Sequence, residues 1–521
     1  MEKENKTIKK VLNFFEKWYV LYPILFFLSI LLFSWLQSAP VFSDPDAFYH
    51  AKMAELTKEQ GFVSEFPWLQ LTFLKNAYTD QHFLFHLLTI PFLRFFEPLV
   101  ALKIISILLS SMAIIVIAAL LRYFKVKRVF WWALLLLTIA PFIMRLSLAK
   151  ASPLALFLVL LGVYFIFKKK YISLFALAMV YVWSHGGFIL IFFLSCLYLL
   201  LNNMYSWNQT RKLTWVGLGG PIATFFGIIL GLVINPYFPR NLEFYWYQVI
   251  EIGLVNYQKY FGVGAEWYPY NFIDLVGQVN FIFVLLLIAI IIEIFRYHRP
   301  EFRNWYFLMA IILFFFFTLK SRRYVEYFVP FAFIWSILVI DSYIWTENFK
   351  KYWQRFLGYY KSHKFLTGAL TAYFVFAFFY GSVSSLYFTK ERLDAGADFY
   401  RFKVVGDYFR QNDISGKIIF HINWDEFPEL FYHANENYYL AGLDPTFSYK
   451  YDAELFYSWN NIATGKVKKK IGKIAKEKFG AEYIFINTKR EKDWLVWAYL
   501  KRDEDLELVL ETPDINLYKI K

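Results

Sequence analysis

The sequence predicts an α-helical polytopic membrane protein with a soluble α/β domain at its C-terminal end. Three observations predict it. Apolar runs close to the ~20 residues that cross a bilayer recur through the first 389 positions. Hydrophobic residues make up 58% of the 521-residue chain and charged residues only 18%, a balance foreign to soluble proteins. Beyond position 390 the apolar runs shorten, charges rise, and strand patterns alternate with helical ones. The 61 phenylalanines fit this class as lipid-facing and packing residues. The single cysteine, Cys196, lies in an apolar run and excludes a disulfide framework. A net charge of +14 invites a nucleic-acid partner, but the lysines and arginines sit in short loops between apolar runs. The positive-inside rule accounts for them, and nucleic acid is excluded as a partner.

About eleven spans are expected, over 18–37, 98–121, 128–144, 152–168, 171–184, 186–202, 213–234, 273–295, 304–319, 324–345 and 366–388. A shorter helix over 82–93 dips into the membrane without crossing it. Lys3, Lys6, Lys9, Lys10 and Lys17 precede a full-length apolar run, which reads as an uncleaved anchor. Basic clusters recur at 122–128, 168–170, 211–212, 296–303 and 346–365, and eleven crossings place all of them with the N-terminus on the cytoplasmic side. Residues 1–389 then form a transmembrane domain of a plasma or inner membrane, with outer loops 38–81 and 235–272. Residues 390–521 form an extracytoplasmic α/β domain, with strands over 417–422, 481–487, 507–511 and 515–520 and helices over 391–411, 452–478 and 489–502.

The densest polar cluster follows the first span: Ser43-Asp44-Pro45-Asp46-Ala47-Phe48-Tyr49-His50. Asp46 alone fits a cap for a helix over 47–60. Two carboxylates flanking one proline also suit a hard cation such as Mg²⁺ or Mn²⁺ together with a phosphate. Asp80, His82 and His86 come next; the histidines share a helix face at i and i+4. They suit a polar pocket for sugar or phosphate oxygens, a second metal-ligand set, or a plain interfacial position. Glu266, in Gly264-Ala265-Glu266-Trp267-Tyr268-Pro269, fits a binding acid on a flexible lid, and its aromatic neighbours equally fit interfacial anchoring. Arg322 and Arg323 begin the tenth span on the side where cations are unexpected. A phosphate or pyrophosphate would hold them there, or Glu326 would neutralise one internally. Trp424, Asp425 and Glu426 follow the first strand of the soluble domain, where α/β sheets bind ligands. His185-Gly186-Gly187 reads as a helical hairpin turn, and Ala441-Gly442-Leu443-Asp444-Pro445-Thr446 as a turn on the domain's rim.

Together these motifs resemble the GT-C superfamily of membrane glycosyltransferases, and within it the catalytic subunit of archaeal and bacterial oligosaccharyltransferases. The resemblance covers nearly the whole chain in order. The Asp44-Pro45-Asp46-Ala47-Phe48-Tyr49-His50 cluster is similar to that family's first-loop acid motif with its aromatic pair and histidine. Trp183-Ser184-His185-Gly186-Gly187-Phe188 resembles its W-G-G-Y segment, and the Glu266 stretch its lid motif, whose glutamate holds the acceptor. Arg322 and Arg323 match a membrane-border arginine, and Asn423-Trp424-Asp425-Glu426 resembles a degraded W-W-D-Y-G. One departure matters most. Where the family has a second acid motif, this chain has Arg145-Leu146-Ser147-Leu148-Ala149-Lys150, with no acid.

The resemblance implies an inverting glycosyltransferase that takes a sugar or glycan from a polyprenyl phosphate or pyrophosphate on the outer membrane face. Asp44 would serve as base or metal ligand, Asp46 would support it, and Arg322 or Arg323 would take the leaving phosphate. His50, Asp80, His82, His86, Lys150, Trp424, Asp425 and Glu426 would line the substrate sites. The acceptor is a glycan, lipid or protein; an oligosaccharyltransferase proper, a lipid flippase and a non-catalytic homologue are the alternatives. Transporters favour inverted repeats and midplane polar residues, and this sequence has neither. The missing second acid leaves two arrangements for the metal: a weakly held Mg²⁺ or Mn²⁺ on Asp44 and Asp46, or Lys150 in its place as a fixed cation.

Overall fold

The computed structural model describes residue 10 and residues 12–295 and 301–521. Lys3, Lys6, Lys9, Arg296 and Arg299 lie outside the described residues. Among the described residues, six helices are long and apolar enough to cross a membrane: Trp18–Leu36, Pro98–Tyr123, Gly186–Thr210, Phe302–Lys320, Arg322–Ile344 and Lys364–Asp394. Two further expected spans are broken. Val129–Leu136 and Ala140–Leu146 meet at 80°, and Phe272–Gln278 and Asn280–Phe295 at 93°. Pro141 lies in the first turn of the second half of the first pair, where its ring cannot continue a helix arriving from residue 136. The runs at 152–168, 171–184 and 213–234 become helices Ser152–Lys168, Tyr171–Val182 and Gly219–Val233, shorter than a straight crossing needs. The expected dipping helix is Phe83–Arg94.

Burial orders the bundle. Arg322–Ile344 is 83% buried along its apolar window and Lys364–Asp394 only 6%, so the first is the bundle's axis and the second faces outward along its length. At one end the basic segments meet. Arg303 Nη1 donates to the Phe124 carbonyl, Lys127 N–H donates to Asp341, and Arg122 Nη1 donates to the Glu16 carbonyl.

At the other end the loop 38–81 and the α/β unit fold onto each other. The loop opens with β1 (Val41–Phe42), which pairs antiparallel with β2 (Ala397–Asp398). The C-terminal unit adds β3 (Ile418–His421), β4 (Tyr438–Tyr439), β5 (Tyr483–Asn487), β6 (Leu506–Glu511) and β7 (Ile515–Ile520) in the order β4-β3-β5-β7-β6. Strands β3, β4 and β5 run parallel; β7 pairs antiparallel with β5 and β6. The short strands β1, β2 and β4 and helices Phe427–His433 and Pro445–Tyr451 carry no strong sequence pattern of their own, and tertiary contacts form them. The open edge beside β4 is covered by the first loop. Gln70 N–H donates to the Tyr439 carbonyl at 2.7 Å and Leu71 N–H to the Leu440 carbonyl at 3.0 Å. Trp68 Nε1–H reaches the Asn435 carbonyl at 2.6 Å. Phe66 packs 5.3 Å from Phe431, and Phe42 packs 4.7 Å from Phe399.

The β1–β2 clip depends on Gly396. A Cβ at that position would lie 2.1 Å from the Phe42 carbonyl oxygen, and backbone cannot yield as a flexible side chain would. Gly396→Ala should therefore prise the clip apart at a cost of about 1–3 kcal/mol. Limited proteolysis reports this as faster cleavage near residue 396; an unchanged digestion pattern would show the clip to be dispensable.

Candidate active site

Between the bundle and the α/β unit lies a cavity of about 110 Å³, walled by the first loop, the 150–152 turn, His185, the segment around Glu266, Arg323 and Asp444. Helix Asp46–Gln60 begins at its edge, and this start separates the two first-loop acids. Asp44 accepts the Asp46 N–H at 3.1 Å, closing the turn that opens the helix, and its other oxygen takes Lys150 at 2.5 Å. The carboxylate of Asp46 instead lines the cavity. Asp44, expected to act, is thus engaged by this turn and by Lys150, while Asp46, expected to support it, lines the cavity. Burial, then the neighbouring charge of Asp44, pushes the Asp46 carboxyl up to about 7.

Lys150 is the hub. Its ammonium lies 2.5 Å from Asp44, 3.8 Å from Asp46 and 3.5 Å from Glu266. Arg145 bridges Glu266 at 2.7 Å and Glu326 at 2.8 Å, and Arg323 approaches Glu266 at 3.6 Å. Burial raises the Glu266 carboxyl, but Lys150, Arg323 and Arg145 outweigh it and hold Glu266 well below the usual range. Burial lowers Lys150, and Asp44 and Glu266 reverse that, keeping the amine charged. Glu326 thus pairs with Arg145, not with the border arginines. Arg145 went unassigned in the sequence, although a lone arginine within an apolar run asks for a buried partner.

The segment around Glu266 is held more firmly than a flexible lid. Ser321 Oγ donates to the Glu266 carbonyl at 2.8 Å, and Arg322 N–H donates to the Tyr268 carbonyl at 3.0 Å. On the far side Phe261 packs 4.8 Å from Phe456 of the α/β unit. The same turn separates the two arginines. Arg323 lines the cavity with its guanidinium 4.3 Å from the Trp267 ring. Arg322 points away, donating to the Pro269 carbonyl and lying over Tyr270.

The opposite wall is neutral. His50, His82 and His185 line it with Gln81 and Gln248. His82 Nδ1–H donates to the Ser184 carbonyl at 3.1 Å, and His185 Nδ1 accepts Gly187 N–H at 2.9 Å. Burial holds His50 well below its ordinary value and takes His82 down to about 4. Behind His50, His86 bonds Asp80 at 2.6 Å and His50 at 2.8 Å, with His86 and Asp80 both buried. Thr79 and Ser152 also line the cavity, and their buried hydroxyls have no hydrogen-bond partner among the described residues.

Trp424, Asp425 and Glu426 stand apart from the cavity lining. Trp424 lies beside Gly264, touching the segment that carries Glu266. Asp425 forms a two-pronged pair with Arg490 at 2.8 and 3.1 Å. Glu426 closes a capping box with Asn423 and lies 3.7 Å from Arg490.

No family model and no curated protein matches the sequence. Solved structures do match its shape. The archaeal oligosaccharyltransferase AglB from Archaeoglobus fulgidus, solved with an inhibitory peptide and a dolichol-phosphate, superposes with a TM-score of 0.65 at 13% identity, over 93% of this chain and 71% of that one. A second structure of the Archaeoglobus fulgidus enzyme, tethered to an acceptor peptide, gives 0.59 at 13% identity, over 94% and 72%. The mycobacterial arabinofuranosyltransferase AftD gives 0.55 at 11% identity, covering 96% of this chain and 40% of its own length. The chain has the GT-C fold.

The resemblance to GT-C oligosaccharyltransferases implies a divalent metal on the first-loop acids, and the residues here do not fit one. Among the described residues no three His, Cys, Asp or Glu side chains group to hold a metal ion. The space between Asp44, Asp46 and Glu266 is filled by the Lys150 ammonium. Mg²⁺ dehydrates reluctantly and would have to evict a buried, charged lysine.

Two predictions follow from this geometry. Lys150→Ala leaves three partly exposed carboxylates uncompensated and should destabilise the fold by less than the about 3–5 kcal/mol that breaking a fully buried pair costs. Melting of the purified protein should then rise with millimolar Mg²⁺ or Mn²⁺ in the variant and not in the wild type; a wild-type melt that drops with EDTA would overturn this. Glu426 supplies the second. Burial pushes it from 4.5 to about 8 against Arg490, with Asp425 and Asp493 adding to the rise. The folded state then holds a proton that the unfolded chain releases above 4.5. Its stabilising contribution is complete below that value and is lost as the pH climbs through about 8. The melting temperature of wild type should fall between those limits more steeply than that of Glu426→Gln; equal slopes would assign the pH dependence elsewhere.

Proposed function

We propose that this protein is a membrane glycosyltransferase, moving a sugar or glycan from a polyprenyl phosphate or pyrophosphate to an acceptor on the extracytoplasmic face. One observation carries the proposal: two fixed cations, Lys150 and Arg323, and the carboxylate of Asp46 line a single cavity at the end of a GT-C bundle opposite its basic clusters. A lipid-phosphate leaving group develops negative charge as its bond to the anomeric carbon breaks. Prearranged cations inside a protein-walled site stabilise that charge without reorganising. Arg323 takes the phosphate, its plane set by Trp267 and Glu266. Lys150 adds a fixed positive charge, and Asp46 faces the positive charge that builds on the sugar ring. The dolichol-phosphate named in the AglB structure is a donor-type lipid of this chemistry. The basic clusters at the far end of the bundle support a cytoplasmic side there, with the cavity and residues 390–521 on the opposite, outer side.

A second reading, protein N-glycosylation, is favoured by the peptide-bound Archaeoglobus fulgidus structures that this chain resembles in shape. Mass analysis of glycopeptides from a deletion strain separates the two.

Arg323→Ala should raise the KM for a labelled polyprenyl-linked donor about 10- to 100-fold, the scale of a lost charged hydrogen bond of about 1.5–3 kcal/mol. Arg323→Lys should recover part of it, because a lysine cannot grip phosphate with two parallel bonds. Arg322→Ala, altering a residue that points away, should leave donor KM within twofold. Unchanged donor kinetics in Arg323→Ala would remove the phosphate role.

A further inference from the structure

The neutral wall contains an arrangement that donor chemistry does not use. Asp80, 1% exposed, and His86, 0% exposed, lie behind the cavity, and His50 stands between them and the open space. The three are joined in series: Asp80 Oδ2 to His86 Nδ1 at 2.6 Å, and His86 Nε2 to His50 Nδ1 at 2.8 Å. Asp80 is fixed in turn by His82 N–H on its other oxygen at 2.9 Å. A carboxylate only accepts, so His86 carries a proton on Nδ1, and in its neutral tautomer Nε2 is an acceptor. His50 therefore donates through Nδ1. Its remaining nitrogen, Nε2, keeps a bare lone pair and has no protein partner among the described contacts.

We propose that Asp80, His86 and His50 form a proton relay, and that His50 Nε2 is the general base for a hydroxyl group of a glycan acceptor. This rests on the glycosyltransferase reading above. In the step, the acceptor O–H proton passes to His50 Nε2 while the acceptor oxygen bonds to the anomeric carbon. The bond from that carbon to the donor phosphate oxygen breaks, and its electron pair leaves with the lipid phosphate. The imidazolium formed on His50 is stabilised through His86 by the Asp80 charge, as a buried carboxylate steadies a catalytic histidine elsewhere.

Four features of the same cavity agree with a glycan. The histidine wall is uncharged at neutral pH, which suits hydroxyls and not a second phosphate. Gln81 and Gln248 offer both donors and acceptors. The unpartnered hydroxyls of Thr79 and Ser152 line the same space. Tyr49, whose hydroxyl is 2.5 Å from that of Tyr78, adds an aromatic surface of the kind a sugar ring packs on. An asparagine amide is a poorer match, because an imidazole assists loss of a proton from a hydroxyl far better than from an amide nitrogen.

The test uses the full-length protein in nanodiscs. Solid-state ¹⁵N spectra of its eight histidines, with His50→Asn to assign the signal, should show His50 neutral and protonated on Nδ1. Asp80→Asn should shift that signal. With labelled decaprenyl-phosphate sugars as donors and octyl glycosides as acceptors, His50→Asn should lower kcat about 10²- to 10⁴-fold. Its side-chain N–H preserves the bond to His86, so donor KM and melting temperature should stay close to wild type. His50 found protonated on Nε2, or transfer by His50→Asn within twofold of wild type, overturns the relay alone. Transfer by the wild type only to an asparagine peptide, and not to octyl glycosides, overturns the hydroxyl acceptor. A wild type that transfers to nothing overturns the glycosyltransferase reading, and the relay with it.

Discussion

The cavity depends on one buried ammonium. Lys150 sits within 4 Å of Asp44, Asp46 and Glu266, which come from two separate loops and meet only there. Taking four charges out of water is costly, and a buried ion pair of this kind seldom adds net stability over a well-packed apolar one. What it fixes is position. Remove the ammonium and three carboxylates repel across a small space, with Arg145 and Arg323 left to hold only Glu266. The first loop, the 145–152 turn and the Glu266 segment are thus registered against one another by charge.

This registration divides the cavity electrically. Cations lie on the side of Lys150 and Arg323, and uncharged imidazoles and amides lie opposite. Two walls of different character can hold two substrates of different character, a charged leaving group and a neutral nucleophile, without either competing for the other's place. The cost of burial is met on each side by a different route: ion pairing on one, loss of the proton on the other. His50 and His82 remain neutral because burial, and then neighbouring histidines, disfavour charge, while Lys150 remains charged because acids surround it.

Much of the fold was legible in the sequence, because membrane spans announce themselves through apolar length and α/β elements through alternation. The expected strands over 481–487 and 515–520 coincide with β5 and β7 to within two residues at each end. The broken pairs were not legible as breaks, since apolar composition continues through the bend and only geometry reveals it. In the site, the sequence marked Asp46, Glu266, Lys150 and Arg323 by position alone. It could not tell Asp44 from Asp46, or Arg322 from Arg323, because adjacent or near-adjacent residues differ only in the direction the backbone gives them. Arg145 was hidden in plain view within an acid-poor segment. The serial bonding of Asp80, His86 and His50 joins two helices and the loop that precedes one of them, and no spacing rule within one helix reports it.

The first loop lies along the edge of the C-terminal sheet, and Trp68 bonds a carbonyl 367 positions later. During synthesis the loop bearing Asp44 and Asp46 emerges hundreds of residues before the strand it lies beside. The bundle can therefore be inserted in the membrane while its charged loop still has no partner surface. Completion of the cavity becomes an event tied to the segment that carries Leu443, Asp444 and Phe447. A protein built this way cannot display a finished binding surface before that segment has folded, so a chain lacking it presents a scaffold and no site.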